Sequence, residues 1–175
     1  GGFEVAMAAD LVVADEHAMF WLPEASLGVL PDAGSVRLPR LLPPHVARQV
    51  LIAGKRMTAA ELHRWGVVND IVPVENLMAA ARQLAHDIIT CAPLSVAALL
   101  DIERRTVSLP VDQAMALLRD LPSYRAAIDS DDATEGTAAF AERRPPRWLG
   151  RCASSAGCGT VYAAAHGQPK ALRRP

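Results

Sequence analysis

Two carboxylates stand twenty positions apart near the start of the chain, each with neighbours suited to moving a proton. Glu4 follows Gly1-Gly2-Phe3 and leads into Val5-Ala6-Met7-Ala8-Ala9, a run made almost wholly of helix formers. The two glycines leave the helix N-terminus without side chains, so its free amides and positive dipole end are open to a developing negative charge. An oxyanion formed from a carbonyl is stabilised by donors of this kind. Glu4 sits one turn in, among apolar neighbours that tend to raise a carboxyl pKa. Glu24 follows Pro23 into a loop. Two carboxylates whose surroundings keep their protonation states apart can hold one water or one substrate proton between them, one as base and the other as acid. Taken singly, each has a plainer reading, because an acidic residue in a first helical turn is favourable for the dipole alone.

The elements that must position this pair are short. Leu11-Val12-Val13-Ala14 and Ala18-Met19-Phe20-Trp21-Leu22 are apolar runs bounded by turn residues and read as buried strands. Phe20 and Trp21 adjoin the second glutamate, and strand alternation allows at most one of them to face the site. Pro31-Asp32-Ala33-Gly34 reads as a turn. A helix is expected after Pro43-Pro44 and is stopped by Gly54. Thr58-Ala59-Ala60-Glu61 is a capping box that opens a helix ending at Gly66. Val67 to Val72 reads as a strand before Pro73. From Val74 onward the chain is helical. One stripe is Leu77, Ala81, Leu84 and Ile88; another is Val96, Leu99, Leu100 and Glu103 after Pro93; further helices are expected over Val111 to Tyr124 and Asp131 to Arg143. Short strands alternating with helices make the class α/β.

The combination is more specific than its parts. Gly1-Gly2-Phe3-Glu4-Val5-Ala6-Met7-Ala8-Ala9-Asp10, then Phe20 to Gly34 with Pro23-Glu24 inside it, then Gly54 to Ala59 and Trp65 to Asn69, resembles the enoyl-CoA hydratase/isomerase (crotonase) family over residues 1 to about 151. The ending, Ser130 to Gly136 and Glu142 to Trp148, is similar to that of its carnitinyl-CoA dehydratase branch. The resemblance implies a spiral of ββα turns, of which residues 1–92 are the C-terminal part, followed by a helical oligomerisation region over 93–151. It implies Glu4 and Glu24 as the catalytic glutamates, Gly1 as one oxyanion-hole amide, and an acyl-CoA thioester as substrate with no further cofactor. It also implies reversible hydration of a 2,3-enoyl thioester, carnitinyl-CoA/crotonobetainyl-CoA among the candidates, and a homotrimer or dimer of trimers. Asp32 stands where hydratases commonly have Gly and some isomerases an acid, so it is a candidate at the flank of the site and keeps isomerisation open. The chain begins inside the motif, and the family places the second oxyanion amide and much of the CoA site in a preceding half. A truncated, non-catalytic subunit is therefore the other reading.

Bulk properties bound the rest. The 175 residues carry a formal charge of −1, which gives no sign of nucleic-acid binding, and half of them are apolar, enough for a core. Cys91, Cys152 and Cys158 form neither a disulfide framework nor a metal-ligand spacing and suit a reducing, cytoplasmic compartment. No apolar run reaches the length of a membrane span. No acidic residue follows Glu142, and the first of the arginines beyond it, Arg143, Arg144, Arg147 and Arg151, are candidates for CoA phosphates. Residues 152–175, rich in Ala, Gly and Ser, are expected to be disordered, and a translated frameshift is one origin for them.

Overall fold

The computed structural model describes residues 1–151, so the expectations for the tail and for Cys152 and Cys158 lie outside the described residues. The chain divides into two compact units, one over Gly1–Ala85 and one from His86 onward. The class is α/β and mostly helical.

In the first unit, α1 (Gly2–Ala6) buries Phe3, and Met7 one turn on is buried beside it. Strand β1 (Val13–Asp15) pairs in parallel with β4 (Asp70–Val72), Val13 opposite Asp70. Asn69 extends that ladder by accepting from Val12 N–H through its side chain at 2.7 Å and donating its own N–H to Val12 O at 2.8 Å. Strand β2 (Met19–Phe20) pairs antiparallel with β3 (Met57–Thr58). The strands are shorter than the sequence suggests and only partly buried: Leu11, Met19 and Trp21 are exposed, while Ala14 and Leu22 go inward. Pairing, not hydrophobic run length, sets their ends, because each strand has a single neighbour among the described residues.

Helix α2 (Asp32–Leu41) replaces the expected turn. It contains Gly34 and Pro39, both poor helix formers. Tertiary packing carries it instead: Leu38 is fully buried, and Arg37 donates to Met7 O at 3.2 Å. Helix α3 (Pro44–Ala53) ends on Gly54 in the left-handed region, as expected. Helix α4 (Ala59–Arg64) opens on the capping box, with Glu61 N–H to Thr58 Oγ1 at 3.1 Å and Thr58 N–H to Glu61 Oε2 at 2.9 Å. Phe3, Leu22, Leu38, Val50, Met57, Leu62 and Val68 belong to one core cluster. Helix α5 (Leu77–Ile89) carries the chain onward; Leu77, Ala81 and Leu84 of its stripe are half-buried and Ile88 is exposed, so it is not a core stripe in this chain.

In the second unit, α6 (Pro93–Thr106) buries Leu94 and Ala98 with Ile102 against Ala127, whereas Leu99 and Leu100 are exposed. The apolar surface of this helix is wide enough to offer two stripes, and the one at 94, 98 and 102 is covered. The expected helix over Val111 to Tyr124 is two, α7 (Val111–Leu118) and α8 (Pro122–Ile128), because Pro122 can begin a helix but not continue one. Ser123 Oγ donates to Asp101 at 2.6 Å and ties α8 to α6. Helix α9 (Asp131–Glu142) is capped by Ser130, whose Oγ accepts from Ala133 N–H at 3.1 Å. Buried Asp132 accepts from the N–H groups of Leu149 (2.6 Å) and Gly150 (2.9 Å) and holds the returning chain against α9. Among the described residues no single helix is long and apolar enough to cross a membrane.

Candidate active site

A cavity of about 380 Å³ opens in the first unit, lined among others by Gly1, Gly2, Phe3, Phe20, Trp21 and Glu24. Three short elements build it. Helix α1 brings the glycines and, through buried Phe3, anchors to Phe20, the two rings meeting edge to face at 5.3 Å. β2 brings Phe20. A single 3₁₀ turn over Glu24–Leu27 brings the second glutamate, where a plain loop was expected. Gly28, at φ 76°, closes that turn, and Val29 N–H bonds to Glu24 O at 3.0 Å, so the backbone under Glu24 is fixed.

The two glutamates differ in what holds them. Glu4 Oε1 accepts the backbone N–H of Gly34 at 2.9 Å, and Oε2 lies 3.6 Å from the Gly1 nitrogen. The Gly34 amide is the largest cause of a carboxyl pKa held below the ordinary value; partial burial opposes it, and the Ala33 amide adds to the lowering. The expected upward shift from apolar neighbours is thus reversed, because a hydrogen bond to the charged form outweighs the desolvation. Glu24 has no such anchor. Its Oε2 is buried with no hydrogen-bond partner among the described residues, a state that natural structures keep for few polar atoms.

Gly1 is the N-cap of α1, and its carbonyl accepts from Val5 N–H at 3.0 Å. A Cβ added at Gly1 or Gly2 would meet nothing within 4 Å among the described residues. Gly1 and Glu24 line one cavity; Glu4 does not line it but lies one helical turn from Gly1. Asp32 is exposed in the first turn of α2 and lies outside the cavity lining, in a place that the helix dipole alone favours.

Phe20 and Trp21 both line the cavity, against the expectation that at most one would. Trp21 lies beyond the end of β2, so strand alternation does not apply to it. The Arg56 guanidinium sits 4.9 Å above the Trp21 ring. The sequence reading missed that contact, as well as the part played by Gly34, whose only local signal was its place in Pro-Asp-Ala-Gly. Of the arginines considered for CoA phosphates, Arg144 is committed to Glu135 and Glu142. Among the described residues no cluster of three or more His, Cys, Asp or Glu could hold a metal ion. The arrangement can therefore perform acid–base chemistry on a small group resting near glycine amides.

The enoyl-CoA hydratase/isomerase family model matches residues 1–151. A carnitinyl-CoA dehydratase from Salmonella typhimurium is 49% identical over 154 residues, covering 86% of this chain and 59% of the relative; the one from Salmonella typhi is 48% identical with the same coverage. Among solved structures, an enoyl-CoA hydratase from Mycobacterium tuberculosis superposes with a TM-score of 0.81 at 35% identity, over 86% of this chain and 59% of that one. The enoyl-CoA hydratase EchA1 from Mycobacterium marinum gives 0.80 at 35%, over 86% and 61%. The chain thus spans about 59% of the length of the curated relatives it matches.

Proposed function

The chain belongs to the enoyl-CoA hydratase/isomerase family, and from that premise we propose that it carries the two acid–base carboxylates of an acyl-CoA hydro-lyase that reversibly hydrates a 2,3-enoyl-CoA thioester. The observation that carries the reading is the unpartnered, buried Oε2 of Glu24 in a cavity shared with Gly1. Glu4, held ionised by the Gly34 amide, takes a proton from water as the oxygen attacks C3. Glu24 delivers a proton to C2. Negative charge collecting on the thioester oxygen is met by the Gly1 amide, together with a second amide that the family supplies from a segment preceding the matched region. Dehydration runs the same steps backwards. Isomerisation would call on Asp32, and its exposed place outside the cavity lends that reading no support.

The two curated relatives named above support a carnitinyl acyl group, and the two solved structures a plain enoyl thioester. An aromatic face can bind a quaternary ammonium, and Phe20 and Trp21 are the rings at the cavity, although Arg56 already occupies one face of Trp21. Turnover of crotonyl-CoA and crotonobetainyl-CoA by the full-length gene product, Glu4→Gln and Glu24→Gln tests the proposal. Each variant should lose about 10²- to 10⁴-fold in kcat, the range general acid–base groups supply. Undiminished turnover in both would remove the glutamates from the mechanism, and a wild-type protein that turns over neither substrate would leave the non-catalytic reading.

Residues 1–92 are proposed as the C-terminal part of the core spiral and 93–151 as helices that pack on neighbouring subunits, in a homotrimer or dimer of trimers. Exposed Leu99, Val107, Val111, Met115 and Phe140 support this, since apolar side chains left open on several helices mark interaction surfaces. Sedimentation of the full-length protein should give a trimer or hexamer; a monomer would contradict the assignment.

A further inference from the structure

Gly34 touches the first carboxylate directly and packs on the residue two before the second. Its N–H donates to Glu4 Oε1 at 2.9 Å. Its Cα faces Leu22, two residues before Glu24: a Cβ built on Gly34 would stand 2.7 Å from Leu22 Cδ1 and 3.0 Å from Pro31 Cβ. Leu22 is 1% exposed and belongs to the core cluster of the first unit, so room for that Cβ would have to come from a shift within the core. The absence of a side chain at this one helical position therefore lets α2 approach closely enough for its amide to reach Glu4, while Leu22 sets where the Pro23-Glu24 step begins.

We propose that Gly34 is a positioning residue of the reaction, fixing the spacing of Glu4 and Glu24 through its amide on one side and its missing Cβ on the other. This rests on the reading of the two glutamates as catalytic. Helix propensity is no part of the requirement, because alanine is the better helix former. The charged groups on the elements packed against Glu4 are Asp32, Arg37 and Arg40 on α2, of which Arg37 is bonded to Met7 O.

The test uses Gly34→Ala and Leu22→Ala/Gly34→Ala in the full-length protein, with circular dichroism to verify folding. Two readouts are taken: the pH profile of kcat with crotonyl-CoA, and the carboxyl titration of Glu4 by ¹³C NMR. In Gly34→Ala, kcat should fall at least tenfold while KM changes less than threefold. The acid limb of the profile and the Glu4 titration should both move to higher pH, since the hydrogen bond to the ionised form is lost or stretched. The double variant, which removes the Leu22 methyl groups but leaves Pro31 Cβ, should recover part of the lost kcat and return the Glu4 titration towards wild type. It also serves as the readout if Gly34→Ala alone does not fold. An unshifted Glu4 titration in Gly34→Ala, or a folded double variant no better than the single one, overturns the positioning role. A shifted titration with turnover indifferent to Glu4→Gln and Glu24→Gln instead overturns the catalytic reading and leaves the Gly34 contact standing.

Discussion

The two units each hold a pair of acidic side chains, and they satisfy them differently. On α9, both oxygens of Asp132 accept backbone N–H groups, and Glu135 takes a bidentate Arg144 at 2.6 and 2.9 Å plus the Arg147 N–H at 2.8 Å. Around the cavity, Glu4, one helical turn from its Gly1 lining, accepts from the Gly34 amide, and the buried Oε2 of Glu24 has no partner among the described residues. A carboxylate saturated by partners is fixed in place and can hold a segment of chain down, whereas a buried one left short of partners costs stability. On the proposed reading, the number of donors around each acid separates clamp from catalyst more sharply than residue type does.

The largest effect that could break this contrast is on turnover. Glu24→Gln should lower kcat by about 10²- to 10⁴-fold and leave the melting temperature nearly unchanged, because no hydrogen bond to Oε2 is lost. Asp132→Ala should do the reverse. It orphans two N–H groups beside a residue only 2% exposed, so unfolding free energy by denaturant titration should fall by about 3 kcal/mol, with kcat per folded molecule retained. Glu135→Gln gives the smallest effect, visible in pH dependence. The Arg144 guanidinium, first, and the Arg147 amide hold the Glu135 pKa at about 2, below its ordinary 4.5. Its stabilisation is therefore fully present above pH 4.5 and lost as pH falls towards 2. The wild-type melting temperature should drop through that window, and the Glu135→Gln curve should be flatter there. Equal slopes would remove the ion pair from the account of the clamp.

Local signals were legible in the sequence; distant ones were not. The Thr58–Glu61 capping box and the Gly54 stop act within a few residues and came out as read. Helix α2 did not, because Gly34 and Pro39 argue against a helix locally and burial of Leu38 overrides them. Likewise α6 offers apolar residues on two stripes, and only packing against Ala127 selects Leu94, Ala98 and Ile102. At the site, the spacing of Glu4 and Glu24 was visible through the family resemblance. The direction of the Glu4 shift was not, since its cause is an amide thirty residues away in a helix that the turn-like Pro31 to Gly34 concealed.

The most direct measurement is to assay one preparation of the full-length Glu24→Gln protein for both crotonyl-CoA hydration and thermal midpoint, beside wild type. A hundredfold or greater loss of kcat at an unchanged midpoint is the predicted result. Wild-type turnover, or a loss of turnover matched by a collapse of the midpoint, would contradict the claim that Glu24 is left unpartnered for chemistry.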